Sequence, residues 1–503
     1  MAVSQFSEMK PYTLAWSVLL LFISMGTTHV QSVSGRCRED QQSLLLLLKH
    51  EPNFHHSSSQ QKLAGWNAST DCCDWPGIRC DHGGLGRVIS LDLSNKSILG
   101  GFKNSTALFS LQYLGYLDLS NNYFETTIPR ALANLTNLRY LNLSNSWFYG
   151  QTISRLTNLV SLDLGGSEVI FRRLELENPN LAVLVQNLTQ LTHLRLDFMD
   201  LSSQDKDWSQ ALSSSLPNLQ VLSMSHCFLS IFPTDPSLLK LQSLSVVRLD
   251  YNFFSSTVPE FFADLKNLAI LNLTNCGLTG TFPAKIFQIL SLELIDFSYN
   301  SLLKGALPYF PQNHSMAILK LQDTNFGGVL PPSMGNLGNL SWVDVSKCNF
   351  GGSIPKTLDS LARLEYLNLS FKNFRGLIPP SLGFVSRNLV HIDLSNNQLE
   401  GPIPHSIFEL GRLRSLSLSS NRLSGDVQWS SIPKLQTLSI LDLSYNNLTV
   451  VQEATNFSND NYSTLSFEKL LLASCNLRKI PELGYQSRLT VLDLSDNNID
   501  GVV

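Results

Sequence analysis

Residues 392–415 read IDLSNNQLEGPIPHSIFELGRLRS. Apolar side chains fall at Ile392, Leu394, Leu399, Ile403, Ile407, Leu410 and Leu413, with Asn397, Gly401 and Pro404 between them. Ile392 and Leu394 alternate with the period of a strand, whereas Ile407, Leu410 and Leu413 fall at the period of a tight helical turn. The same grammar returns about every 24 residues over most of the chain. Each copy is too small to bury its own apolar face, so the copies must stack.

A fixed period of this length with this leucine pattern signals a leucine-rich repeat solenoid. The expected fold class is α/β: a curved parallel β-sheet built from repeats of about 24 residues. About 17 units are legible, centred on residues from Leu91 to Leu492. The chain has 503 residues, too many for one compact core, but a solenoid needs only neighbour contacts. The turn after each strand carries a ladder residue. Asn holds it at 122, 252, 300, 397, 421, 446 and 497, where its amide both donates and accepts. Cys227, Cys276, Cys348 and Cys475 fall in the same slot and are read as buried ladder residues. Ser146, Ser167 and Thr324 substitute, whereas Lys96, Met199 and Lys372 should distort the turn. The ladder steps are 24 or 25 residues from 252 to 446, but 32 and 28 between Ser167, Met199 and Cys227. The extra residues there, and the polar stretch near 452–465, should emerge as loops or short helices on one face.

Residues 1–32 carry an apolar run, Leu14–Ile23, after Lys10, which reads as a secretory signal peptide. Ten residues are too few to span a bilayer. Residues 33–87 should cap the first repeat: a leucine-rich helix ending near His50, then Trp66 and CCDWPGIRC at 72–80. Cys37, Cys72, Cys73 and Cys80 allow three pairings. Adjacent cysteines pair poorly, which leaves two of the three. Of these, Cys37–Cys72 with Cys73–Cys80 is expected, pinning the helix and the loop to the first strand. Zinc is the rival, and a secreted chain disfavours it. No metal or cofactor site is expected. Residues 88–503 form the solenoid, and its last strand should expose an apolar end, as if a further capping segment followed.

Net charge is −4 and only 15% of residues are charged, with no basic stripe, so nucleic acid is not expected as a partner. Acceptor motifs for N-glycosylation begin at Asn67, Asn95, Asn104, Asn134, Asn187, Asn313, Asn339, Asn447, Asn456 and Asn461. Three more, at Asn142, Asn272 and Asn368, fall inside strands on the inner face.

The cap CREDQQSLLLLLKH…WNASTDCCDWPGIRC, the LxLSxNxLxGxIP repeat and these acceptor motifs resemble plant receptor-like proteins of the wilt-resistance, immune-receptor type. That resemblance implies an extracellular or cell-surface ectodomain acting in defence. Its ligand would be a protein, a peptide or a wall-derived molecule, and its partners adaptor and co-receptor kinases. It also implies a membrane helix and tail that these residues do not contain. A secreted inhibitor of microbial wall-degrading enzymes and a developmental peptide receptor are the alternatives. Downstream sequence would separate the first two: a membrane helix for a receptor, a closing cysteine cap for an inhibitor.

No catalytic constellation is legible, so an enzyme is not expected. Binding should sit on the inner sheet face, where Ser and Asp dominate and larger or charged groups stand out. One such group is His193, Arg195 and Asp197 with Arg248 and Asp250; another is Lys320, Gln322, Trp342, Asp344, Tyr366 and His391. Aromatic and charged anchors of this kind are what protein and peptide recognition uses. His193 and His391 add a source of pH dependence.

Overall fold

The computed structural model describes residues 36–51, 63–81, 83–100, 105–149, 153–166, 180–204, 206–233, 236–371, 373–385, 388–451, 466–481, 483 and 486–500. The signal segment 1–32 lies outside them, as do Asn104, Ser167, Lys372, Asn456 and Asn461.

The short alternating cores of the repeats pair into one 18-stranded sheet. Its first member, Ile78–Cys80 in the cap, runs antiparallel to Val88–Asp92. From Val88–Asp92 to Val491–Asp493 every pairing is parallel and in register, so Val343 sits between Leu319 and Leu367. Leu319, Val343, Leu367, Ile392 and Leu394 are fully buried and form part of one continuous core. Strands stack about 4.8 Å apart and the outer turns need more room, so the sheet takes the inside of the arc.

The ladder works as its chemistry requires. Asn397 Nδ2 donates to the carbonyls of Leu369 (2.8 Å), Leu394 (3.0 Å) and Ser395 (3.2 Å), and its Oδ1 accepts from the Phe374 amide. The cysteines take over the inter-repeat bond: Cys227 Sγ lies 3.1 Å from the Leu196 carbonyl, Cys276 3.1 Å from Leu249, and Cys348 2.8 Å from Leu321. All four are buried. The Met199 thioether has no proton to donate in this way, yet it is buried and the strands beside it keep register. The distortion expected there does not reach the sheet, because the thioether is simply absorbed into the apolar core.

The Gly-x-Ile-Pro half of the unit does more than turn the chain. It builds a second, 8-stranded parallel sheet, from Thr279–Thr281 to Asn447–Val451. Gly401 sits in it at φ 75°, and an added Cβ would meet the Leu377 side chain at 2.5 Å. After the proline, whose φ is −61° at Pro404, the chain closes a short 3₁₀ turn at His405–Glu409. The extra residues between Met199 and Cys227 form the helix Trp208–Ser215, with Trp208 buried.

The cap is a helix, Glu39–Lys49, whose Lys49 ammonium donates to the Trp66 carbonyl. Disulfides Cys37–Cys72 and Cys73–Cys80 tie it to the first strands, and Trp66 stacks on Trp75 at 5.6 Å. The four sulfurs lie close enough together to suggest a metal cluster, but they are consumed in these two bonds. No helix among the described residues is long and apolar enough to cross a membrane.

Candidate ligand-binding face

Parallel register sorts the inner face into columns, because residues at equal positions in successive repeats become neighbours. The residue before each buried strand centre forms the first column. From Ser90 to His391 it reads Ser90, Tyr116, Tyr140, Ser161, His193, Val221, Val246, Ile270, Leu294, Ile318, Trp342, Tyr366 and His391, and it continues to Val491.

Three residues of the second sequence-predicted group meet in this column as one stack. Trp342 and Tyr366 lie 3.7 Å apart, and Tyr366 and His391 4.4 Å apart, with planes 4° and 9° from parallel. Lys320 Nζ sits 5.2 Å from the Trp342 ring centre and 3.7 Å from Asp296. Trp342 Nε1 is buried with no hydrogen-bond partner among the described residues. Asp344, one column over, is almost fully buried and accepts from the Ser346 hydroxyl at 2.6 Å. Burial pushes its carboxyl up to about 6, against the hydrogen bonds of Ser346 and the charge of Lys320. Burial also lowers His391, partly offset by Asp393. Gln322 stands apart from the stack and faces Tyr299.

The first predicted group is joined through serines. Ser223 Oγ donates to Asp197 at 2.8 Å, the Ser225 amide donates to Asp197 at 2.8 Å, and Ser225 Oγ donates to Asp250 at 2.8 Å. Burial pushes Asp250 up to about 6. Arg195 reaches back to Asp163, 3.8 Å away, which burial also pushes up to about 6. His193 engages Thr192 at 2.7 Å rather than a carboxylate, and burial lowers it. Arg248 lies in the column between Ser223 and Asn272.

Two features of this face escaped sequence reasoning. The first is apolar continuity: Val221, Val246, Ile270, Leu294 and Ile318 bridge the two groups without a polar break. Reading one repeat position down all copies, rather than along each copy, would have found it. The second is a run of aromatics just before the ladder residue, Phe198, His226 and Tyr251, stacked at 4.5 and 4.3 Å. The glycan acceptors inside strands are tied into the sheet: Asn368 Oδ1 accepts from the Ser370 amide at 3.0 Å and hydroxyl at 2.7 Å.

Comparison with known proteins agrees with this architecture. A leucine-rich repeat N-terminal domain matches residues 38–81, and leucine-rich repeats match 87–146, 363–385 and 388–410. Receptor-like protein 6 of Arabidopsis thaliana is 31% identical over 307 residues, 55% of this chain and 29% of that protein. Receptor-like protein EIX1 of Solanum lycopersicum is 31% identical over 277 residues, 50% of this chain and 25% of that protein. This chain therefore aligns with under a third of the length of either relative. The ectodomain of the Arabidopsis receptor kinase HAESA, solved with an N-terminally extended IDA peptide hormone, superposes with a TM-score of 0.62. It is 26% identical, over 91% of this chain and 89% of that one. The chain therefore carries a leucine-rich repeat N-terminal domain followed by leucine-rich repeats, and along part of its length it is similar to plant receptor-like proteins.

Proposed function

We propose that this chain is the extracellular ligand-binding ectodomain of a receptor-like protein. It recognises a protein, peptide or wall-derived ligand on the inner face and acts in plant defence with partner receptor kinases. The observation that carries the binding site is the Trp342–Tyr366–His391 stack, capped by Lys320 and continued by the apolar column to Val221. Seven strand steps from Val221 to His391 cover roughly 34 Å, which an extended peptide of about ten residues spans. The related HAESA ectodomain was solved with a peptide hormone, which supports a peptide here. The N-terminal domain and its disulfides support an oxidising, extracellular location.

The test is capture of ligand from wall extracts by the secreted chain. Loss of the captured species in both Trp342→Ala and Tyr366→Ala, with unchanged melting, supports the site. Equal capture by both variants overturns it.

A further inference from the structure

The first column of the inner face steps from large to small past His391. Trp342, Tyr366 and His391 stack with nearly parallel planes, and the next strand places Ser415 in register with His391. The strand after it brings Ile440 to the same column. Tyr366 covers one face of the His391 ring, and among the described residues no ring or cation covers the other. His391 and Ile440 stand two strand spacings apart, about 10 Å, and the serine between them fills little of that length. His391, Ser415 and Ile440 each retain contact with solvent, and the strands and turns on both sides of the step lie within the described run 388–451. The step is an open notch one rung wide, walled by a ring face and a branched apolar side chain.

The rim of the notch is acidic. In the column past the strand centre, Asp393 and Asp442 flank Ser417. Asp393 Oδ1 accepts from the Ser395 amide at 2.9 Å and hydroxyl at 2.6 Å, and Asp442 Oδ1 accepts from the Ser444 amide at 3.1 Å. The second oxygen of each carboxylate has no partner among the described residues, nor do the hydroxyls of Ser415 and Ser417. Arg414, on the opposite flank, is exposed, so solvent screens its charge. Ser415 and Ser417 lie about 7 Å apart along the strand, which is roughly the reach of a phenol oxygen from its own Cβ. An aromatic face gains by stacking on His391, and a hydroxyl donor gains by meeting a carboxylate. We infer that the notch at Ser415 takes a tyrosine side chain of the ligand, its ring the fourth member of the Trp342–Tyr366–His391 stack and its hydroxyl donating to the Asp393–Asp442 pair. This rests on the reading of the inner face as a peptide-binding surface and gives that surface a defined end. Phenylalanine brings no donor, leucine neither face nor donor, and a phosphorylated tyrosine sets its charge against two carboxylates.

The notch is tested by ligand-observed NMR titration of the secreted chain with N-acetyl-tyrosinamide and its phenylalanine, leucine and phosphotyrosine counterparts. The tyrosine probe should bind at least tenfold more tightly than each of the others. Ser415→Phe lets the chain fill the notch with a ring of its own, and should weaken the tyrosine probe at least tenfold. If Ser415→Phe melts below wild type, the double variant Asp393→Asn, Asp442→Asn decides, because it keeps the shape and removes the charge. The preference for tyrosine over phosphotyrosine should disappear in it. Equal binding of the phenylalanine or leucine probe, tighter binding of the phosphotyrosine probe, tyrosine binding unchanged in Ser415→Phe, or an unchanged preference in the double variant overturns the proposal. The titration does not use the wall-extract ligand, so the two failures are read separately. A captured ligand with no binding of the tyrosine probe overturns the notch alone, and probe binding with equal capture by Trp342→Ala and Tyr366→Ala overturns the Trp342 site alone.

Discussion

Trp342 and Tyr366, one repeat apart, stack at 3.7 Å with planes only 4° from parallel. Strand register makes the pair, since the two residues are direct partners in the sheet. A double-mutant cycle with alanine at both positions, read by denaturant unfolding, should give a coupling of about 0.5–1.5 kcal/mol. Additive effects would mean that the rings touch without helping each other.

Leu394 is fully buried in the unit 392–415. Leu394→Ala should cost about 2–5 kcal/mol through the cavity it leaves. Each repeat contacts only its neighbours, so amide exchange should quicken in strands Tyr366–Asn368 to Ser415–Ser417 and not near Tyr116–Asp118. Uniform acceleration along the rod would contradict that independence.

Cys276 bonds the Leu249 carbonyl at 3.1 Å, and burial pushes its thiol up to about 12. Cys276→Ala removes one of two donors to that carbonyl, which keeps Asn252 Nδ2 at 2.7 Å, and should cost about 0.5–1.5 kcal/mol, whereas Cys276→Ser should cost less because the hydroxyl can donate. Maleimide should label this thiol only under unfolding conditions. Rapid labelling of the folded chain would refute the ladder role.

Asp163, Asp250 and Asp344 are each pushed up to about 6 from an ordinary 3.8. The folded state therefore holds more protons than the unfolded state between about pH 4 and 6, and their contribution to stability falls as pH rises through that window. His193, His314 and His391 are lowered, and their contribution falls as pH drops below 6.5, in the opposite sense. The difference between wild type and Asp250→Asn isolates the carboxylate. Melting temperatures should shift in favour of the variant between pH 4 and 7. A constant difference across that range would show that Asp250 titrates normally.

The ladder positions are legible in the chain itself, because an Asn, Ser, Thr or Cys at one repeat position has one chemical job. The binding face is legible there only in part. Trp342, Tyr366 and His391 stand out along the sequence by size, but their joining into one stack depends on in-register pairing across residues far apart in sequence. Val221, Val246, Ile270, Leu294 and Ile318 look like ordinary strand apolars in their own repeats.

By itself the sequence determined what is local and periodic: the repeat, the inward leucines, the ladder and the four-cysteine cap. Spacing alone dictates which side chains alternate inward and which turn needs a donor. Tertiary structure decided what depends on neighbours between repeats: the second sheet behind Gly401, the apolar column, the pairing of the cap cysteines, and the desolvation of Asp163, Asp250 and Asp344. The physical reason is that stacking converts equal positions along the chain into contacts at the strand spacing. Only in that stacked state do rings find partners and carboxylates lose their water.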